Sequence, residues 1–139
     1  PANKFKKFIE LTLKDYDCIF YLATGKNEEE QLILKSILSS YKEICISLDN
    51  NSISEILPII KNCNCYIGSD TGFAHIAVGL GIQSLTLFMD SPVMAYGKYS
   101  SRMIVIEPEG EKDSTTHDTL GRDKISFQEV LIKAKQILN

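Results

Sequence analysis

The sequence lacks several features that would assign it to a common functional class. No apolar run approaches the ~20 residues that a membrane-spanning helix needs. The first residues, Pro1–Lys4, are not followed by the apolar core of a signal peptide. Basic residues are not in excess, because 15 Lys and Arg stand against 18 Asp and Glu, for a net charge of −3. A general nucleic-acid binder needs a basic face, so we expect a cytoplasmic protein that does not bind nucleic acid.

Cysteine is scarce as well, with four residues in the chain. The pair Cys63 and Cys65 is too closely spaced for a zinc knuckle, and no second pair accompanies it. Three of the four cysteines fall in apolar runs, where a reduced thiol behaves as a small hydrophobic side chain. The pattern predicts buried thiols in a reducing compartment, and it predicts no metal site.

The short motifs of several enzyme classes are also missing. The chain has no glycine fingerprint of a dinucleotide-binding turn, no P-loop and no Gly-x-Ser-x-Gly elbow. These absences disfavour an oxidoreductase, a kinase-like NTPase and a hydrolase. With 139 residues, of which 44% are apolar and 24% charged, residues 1–139 are expected to form a single globular domain.

Helical and strand patterns alternate along the chain. Helices are predicted where apolar residues recur with a helical period or follow a capping residue, and strands where apolar residues are continuous. The predicted order is helix 3–15, strand 18–23, a helix from Glu28, strand 44–48, a helix after Ser52, strand 65–68, helix 70–80, strand 84–88, strand 103–106 and a helix after Ser126. Continuously apolar strands are covered on both faces. The order therefore predicts an α/β fold, a three-layer Rossmann-like domain with a mostly parallel sheet.

Several local signals refine this order. Ser52 and Ser126 are each followed three residues later by a glutamate, which is the spacing of a capping box. Pro58 falls inside the third helix and is expected to shorten or kink it. Residues 107–124 are predicted to be a polar loop. Because the chain starts with a helix, we expect a leading strand before residue 1, and hence a piece of a longer protein.

One segment carries most of the functional information. It runs from an apolar strand, through the turn Ser69-Asp70-Thr71-Gly72, into a helix that carries His75 one turn from its start. In an open parallel sheet, ligands bind beyond the carboxyl ends of the strands. The first N–H groups of a helix have no partners within the helix and can bind a phosphate. The segment therefore predicts an anion site in which His75 donates to a phosphate oxygen.

A simpler explanation of the same residues stays open. Asp70 or Thr71 could do no more than cap the helix, and His75 could pack between the helix and the sheet. Gly72 would let another group approach the backbone closely. Spacing alone supports the anion site and the structural role equally.

The segment resembles the signature of glycosyltransferase family 9, the family of ADP-heptose:lipopolysaccharide heptosyltransferases. The resemblance is carried by Ile67–Ala77, by Gly81-Ile82-Gln83 and by the strand Ser84–Phe88. In the family, an Asp-Ser/Thr-Gly is followed by a His, an Ala and a strand that ends in Phe-Gly. A similar order of elements extends over residues 3–139.

The resemblance implies a fold and an activity. The fold would be the carboxyl-terminal, Rossmann-like lobe of a two-lobed GT-B glycosyltransferase, the lobe that binds the nucleotide-sugar donor. The reaction would transfer heptose from ADP-heptose to a saccharide acceptor of the lipopolysaccharide core, without a further cofactor or a metal. The catalytic base would lie on an amino-terminal lobe that this sequence lacks. The protein would be bacterial and cytoplasmic, and its full-length form would associate peripherally with the inner membrane.

The resemblance also assigns donor-binding residues. Ser69, Asp70, Thr71, Gly72 and His75 match the motif that faces the donor diphosphate in the family.

Two upstream residues are similar to another part of the family pattern. Gly25 lies in a turn after a strand, and Glu29 matches the acidic residue that binds the donor ribose. Glu29 also has a structural explanation, because the three glutamates at 28–30 open a helix and interact favourably with its dipole.

The chain departs from the family pattern after the strand 84–88. Met89 and Asp90 follow Phe88, where the family has glycine. Further candidates are Lys26 for an anion, Ser91 for a phosphate and Tyr96 for stacking on a base. A solvated loop explains Ser91 and Tyr96 equally well, and a solvated surface lysine is the favoured explanation of Lys26. His117 is interpreted as a loop residue.

Three functions are consistent with these observations. The first is the donor-binding domain of a glycosyltransferase, which alone would bind nucleotide but transfer sugar poorly. The second is a stand-alone nucleotide- or sugar-phosphate-binding module without catalytic activity of its own. The third is a degenerate domain kept only for assembly.

Overall fold

The computed structural model describes residues 2–121 and 124–139, and the chain divides into two compact units. The first unit ends at Ile56 and the second begins at Leu57. The elements are α1 (Ala2–Leu13), β1 (Phe20–Leu22), α2 (Glu28–Tyr41), β2 (Cys45–Ser47), α3 (Ile53–Lys61), β3 (Cys65–Ser69), α4 (Gly72–Gly79), β4 (Gln83–Leu87), α5 (Val93–Tyr96), β5 (Met103–Ile106) and α6 (Phe127–Leu138). Every strand pairing among the described residues is parallel. The predicted α/β fold with parallel strands is confirmed.

The first unit contains a two-stranded sheet with helices packed against it. β1 pairs with β2 so that Tyr21 lies opposite Ile46. The core of this unit is formed by Ile9 of α1, Ile37 of α2 and Cys45 of β2, all of which are buried. The helical spacing of apolar residues in α1 and α2 therefore reflects two faces that pack on one sheet.

The second unit contains the three-stranded sheet in the order β3–β4–β5. Successive side chains of a strand point to opposite faces. α4 packs on the face that carries Phe88 and Met103, and it contributes Ala74 and Val78 to a common core. Leu85 points to the other face and is fully buried, and α6 packs against β3 and β4. Within this unit the fold has the expected three layers of helix, sheet and helix.

Small residues let α4 lie close to the sheet. Ala74 and Ala77 are completely buried on the helix, and Ser84 and Thr86 are completely buried on β4. The two hydroxyl groups satisfy each other with an Oγ–Oγ1 distance of 2.9 Å. Close packing without an unsatisfied polar group gives the turn before α4 a rigid support.

The helix starts follow the sequence signals. The Glu55 N–H donates to Ser52 Oγ at 3.3 Å and the Ser52 N–H donates to Glu55 Oε1 at 3.2 Å, which forms the predicted capping box of α3. Ser126 Oγ accepts from the Glu129 N–H at 3.2 Å at the start of α6. α3 continues past Pro58 to Lys61, so the proline does not end the helix. A proline here removes one backbone bond, and its exposed position leaves room for the ring.

The segment between β4 and β5 differs from the prediction, because it contains the short helix α5 where a loop was expected. Val93 is fully buried, and its N–H donates to Thr115 Oγ1 at 3.2 Å. One helical turn is too short for a periodic pattern to reveal. The predicted loop 107–124 carries no α-helix or strand where it is described, and its residues 122 and 123 lie outside the described residues.

All four cysteines are free thiols. Cys45 is buried, and the other three are partly buried. Burial raises the pKa of the Cys45 and Cys63 thiols, because a thiolate loses its hydration in an apolar environment. Over residues 2–121 and 124–139, none of the helices combines the length and the apolar character needed to cross a membrane.

Candidate functional site

The turn Ser69–Gly72 lies at the carboxyl edge of the β3–β4–β5 sheet. β3 ends at Ser69, and the Asp70 N–H extends the ladder by donating to the Leu87 carbonyl at 3.2 Å. α4 then begins at Gly72. The structure therefore places the turn where ligands bind in an open parallel sheet, as its sequence predicted.

The Asp70 carboxylate is the centre of a hydrogen-bond network. Its side chain is only 10% exposed. Oδ1 lies 2.8 Å from His75 Nε2, and Oδ2 accepts from Ser91 Oγ at 2.6 Å. Thr71, not Asp70, occupies the N-cap position of α4, and its side chain makes no capping bond. The explanation of Asp70 as a simple helix cap is therefore wrong, because both of its oxygens are used by side chains from elsewhere.

Each ring nitrogen of His75 has a hydrogen-bond partner. Nε2 meets Asp70, and Nδ1 lies 2.7 Å from the phenol oxygen of Tyr99. The Tyr99 ring stacks on the imidazole with centroids 5.6 Å apart and planes at 27°, while Tyr96 meets it edge-on at 6.4 Å. The His75 side chain is 35% exposed. His75 is therefore oriented by specific partners at both ring nitrogens and not by packing alone.

Tyr66 forms hydrogen bonds to the turn Ser69–Gly72. Its phenol donates to the Ser69 carbonyl at 3.0 Å and lies 3.3 Å from Thr71 Oγ1. Burial raises the pKa of this phenol, the bond to Thr71 opposes the rise, and the Asp70 charge adds to it. A Cβ at Gly68 would lie 2.5 Å from the phenol oxygen, so glycine makes this position of the ring possible.

The start of α4 is open to the surroundings. Thr71 and Gly72 are exposed, and a Cβ built on Gly72 would meet no described atom within 4 Å. Among the described side chains, none caps the helix at Thr71. The first N–H groups of α4 are therefore accessible to an anion, and Gly72 is not required by any protein contact there.

Two residues of this site were missed from the sequence. Tyr66 was interpreted as part of a strand, and Tyr99 as part of a loop beside Tyr96. Ser91 and Tyr96 were candidates for ligand contact, and the structure places both next to the Asp70–His75 pair. The only available signal was the aromatic spacing Tyr96-x-x-Tyr99 in a segment that follows a strand's carboxyl end.

The upstream candidates belong to the first unit. The Gly25 N–H donates to the carboxylate of Glu30, and a Cβ at Gly25 would lie 2.6 Å from that carboxylate. Glu29 is exposed in the first turn of α2, so the acid that meets Gly25 is its neighbour Glu30. Lys26 pairs with Asp49 at 2.8 Å.

His117 is exposed in the loop after β5. Within the ranges 2–121 and 124–139, no group of three or more His, Cys, Asp or Glu side chains is arranged to hold a metal ion.

Comparison with known families gives one result. Residues 1–123 match the model of glycosyltransferase family 9 (heptosyltransferase), so the match covers the first unit and the part of the second unit that precedes α6. The curated protein sequences and the solved structures gave no match. The matched range contains the Asp70–His75 network with all of its partners. The chain therefore belongs to glycosyltransferase family 9, a family of enzymes that transfer a sugar from a nucleotide-sugar donor to a saccharide acceptor.

Proposed function

We propose that the chain is the donor-binding part of a glycosyltransferase, and that the turn Ser69–Gly72 with His75 binds the donor diphosphate. The observation that carries the proposal is the juxtaposition of an oriented imidazole with an uncapped helix start at one edge of a parallel sheet. Oriented N–H groups and an imidazole are the donors that a diphosphate requires. Family membership supplies the class of donor.

The same donors would assist the chemistry. When the glycosidic bond to the phosphate breaks, negative charge accumulates on the leaving diphosphate. Donors that are already oriented stabilise this charge without reorganisation, which is electrostatic catalysis. Asp70 does not face the anion in this scheme, because both of its oxygens hold neighbouring side chains. Its role is to orient His75.

The finer assignments follow from the family resemblance. We propose heptose from ADP-heptose as the donor group and a lipopolysaccharide-core saccharide as the acceptor. The chain would be the carboxyl-terminal lobe of a bacterial, cytoplasmic GT-B enzyme at the inner membrane. The base that deprotonates the acceptor would lie on an amino-terminal lobe. The chain alone is therefore expected to bind nucleotide but to transfer sugar poorly.

Titration of the chain with ADP, followed by amide NMR, tests the diphosphate site. We expect saturable shifts clustered at residues 69–76, and weaker binding in Asp70→Ala and His75→Ala. His117→Ala is the matched control, because it removes an exposed imidazole from another loop. Absence of shifts at millimolar ADP in a folded chain, or equal weakening by the control, would contradict the site.

Gly25 is proposed to contact the nucleotide-sugar donor, and Glu29 its ribose. The test compares ADP with inorganic pyrophosphate, which lacks ribose. Glu29→Gln should weaken the binding of ADP and leave pyrophosphate unchanged, whereas the neighbouring Glu28→Gln should affect neither. A loss of affinity for both ligands, or for neither, would remove Glu29 from the site.

A further inference from the structure

Tyr99 occupies the one nitrogen of His75 that could face a ligand. Asp70 holds Nε2 at 2.8 Å, and the Tyr99 phenol lies 2.7 Å from Nδ1 while its ring stacks on the imidazole. Tyr99 comes from the connection between α5 and β5, 24 residues away in sequence. The phenol is therefore placed by tertiary structure on the atom that the proposed function assigns to a phosphate oxygen.

The direction of each hydrogen bond follows from the chemistry of the groups. An ionised Asp70 only accepts, so Nε2 of His75 carries a hydrogen and donates. The other nitrogen of a neutral imidazole has no hydrogen, so Nδ1 accepts the Tyr99 O–H. A phosphate oxygen also only accepts. His75 can therefore bind phosphate through Nδ1 only when the imidazole has taken up a proton and released the phenol.

Among the described residues, the ionisable groups in contact with the His75 ring are Asp70, Tyr99 and Tyr96. Lys98, beside Tyr99, is paired with Asp113 at 2.7 Å. A positive charge on the imidazole would thus lie against the nearly buried Asp70 carboxylate.

Two further acidic groups lie near Asp70 and Ser91. The Tyr66 phenol faces the Asp70 charge, and Asp90 is exposed beside Ser91. Neither meets the Nδ1 side of the ring. Tyr99 itself is 56% exposed, so water can replace the imidazole as the hydrogen-bond partner of its phenol.

We propose that Tyr99 is a positioning residue that holds His75 through Nδ1 and yields this nitrogen to an anionic oxygen when the anion binds. One proton passes from solvent to the imidazole as the anion binds, and the Tyr99 O–H is transferred from Nδ1 to water. The inference rests on the proposed function, because it takes the anion to be the donor diphosphate.

Calorimetry of ADP binding to the 139-residue chain tests this exchange. Measurements near pH 7.5, in two buffers of different ionisation enthalpy, give the number of protons taken up. Wild type should take up about one proton. Tyr99→Phe keeps the stacking ring and removes the competing hydrogen bond, so it should bind ADP about three- to tenfold more tightly. Tyr21→Phe, which alters an exposed phenol of the first unit, should leave the affinity unchanged.

NMR of the His75 ring nitrogens measures their protonation, which would not change on ADP binding if the bond to Tyr99 were purely structural. Free wild type should show the neutral tautomer protonated at Nε2, and the ADP complex should show both nitrogens protonated. If Tyr99→Phe binds ADP with equal or lower affinity, or if binding takes up no proton, the exchange is wrong while the diphosphate site stands.

Inorganic pyrophosphate separates the two proposals further. If pyrophosphate binds with proton uptake and Tyr99→Phe tightens it, while ADP does not bind, the exchange stands and the nucleotide-sugar function falls. If neither ligand binds a folded chain, both proposals are overturned.

Discussion

Ser91 and His75 bind the two oxygens of one carboxylate, that of Asp70, at 2.6 and 2.8 Å. Ser91 lies in the connection after β4, whereas His75 lies on α4. The carboxylate thus joins two segments at the carboxyl edge of the sheet. Asp70 is therefore held in part by Ser91, a residue outside the turn Ser69–Gly72.

Removal of the Ser91 hydroxyl should loosen the anion site. In Ser91→Ala, the Asp70 Oδ2 atom loses a charge-assisted hydrogen bond, so the carboxylate and His75 become less well oriented. We expect the dissociation constant for ADP to rise about three- to tenfold, and the free energy of unfolding to fall by about 1–2 kcal/mol. Calorimetry and denaturant unfolding measure the two quantities. Ser101→Ala, at an exposed serine of the α5–β5 connection, should change neither by more than the error.

Alanine substitutions of Gly68, just before the turn, and Gly72, at its end, should change the stability in opposite directions. A Cβ at Gly72 meets open space, so Gly72→Ala should keep or slightly raise the stability while it obstructs the helix start and weakens ADP binding. A Cβ at Gly68 collides with the Tyr66 phenol, so Gly68→Ala should displace the ring and break its bond to Ser69. We expect a loss of about 1–2 kcal/mol in that variant from urea unfolding. Unchanged ADP binding in a folded Gly72→Ala chain would place the anion elsewhere.

Tyr66 should make the stability fall at alkaline pH. Burial is the main cause that raises the pKa of this phenol above the value of 10.0 for a free phenol. The unfolded chain therefore loses this proton first, and stability that is complete below about pH 10 is lost as the pH rises through the folded pKa, with a slope of up to ~1.4 kcal/mol per pH unit. Tyr66→Phe should remove this part of the slope between pH 9 and 11 in urea unfolding.

Tyr96→Phe is the control for that measurement. Tyr96 is exposed, so its substitution should leave the alkaline slope as it is in the wild type. Equal slopes in wild type and Tyr66→Phe would show that Tyr66 ionises alike in the folded and unfolded chains.

The pKa of Asp49 should rise when Lys26 is replaced. The hydrogen bond from Lys26 is the main cause that lowers the pKa of the Asp49 carboxyl, and the bonds from Gln31 and Thr24 lower it further. Because the folded pKa lies below the unfolded one, the stabilisation from this group is present at neutral pH and disappears as the pH falls through the folded value. Lys26→Met should raise the Asp49 pKa in a carboxylate NMR titration. Lys35→Met, on the exposed side of α2, should leave it unchanged.

The elements and the turn were predictable because their signals are local. The capping box of α3 joins residues three apart, Ser52 and Glu55, and β5 forms over the predicted residues 103–106. The turn Ser69–Gly72 is likewise a continuous stretch, placed by the end of one strand and the start of one helix. Periodicity and capping act within a few residues, so one sequence contains them in full.

The partners of that turn were decided by the tertiary structure alone. Ser91 and Tyr99 lie 21 and 24 residues from the atoms that they contact. They meet Asp70 and His75 because β3 and β4 pair in parallel, which brings the connection after β4, the segment that carries both residues, beside the turn after β3. The sequence by itself determined where the turn Ser69–Gly72 lies in this member of glycosyltransferase family 9. Only the packing of the sheet decided which side chains orient it, since strand pairing leaves no short-range pattern in the chain.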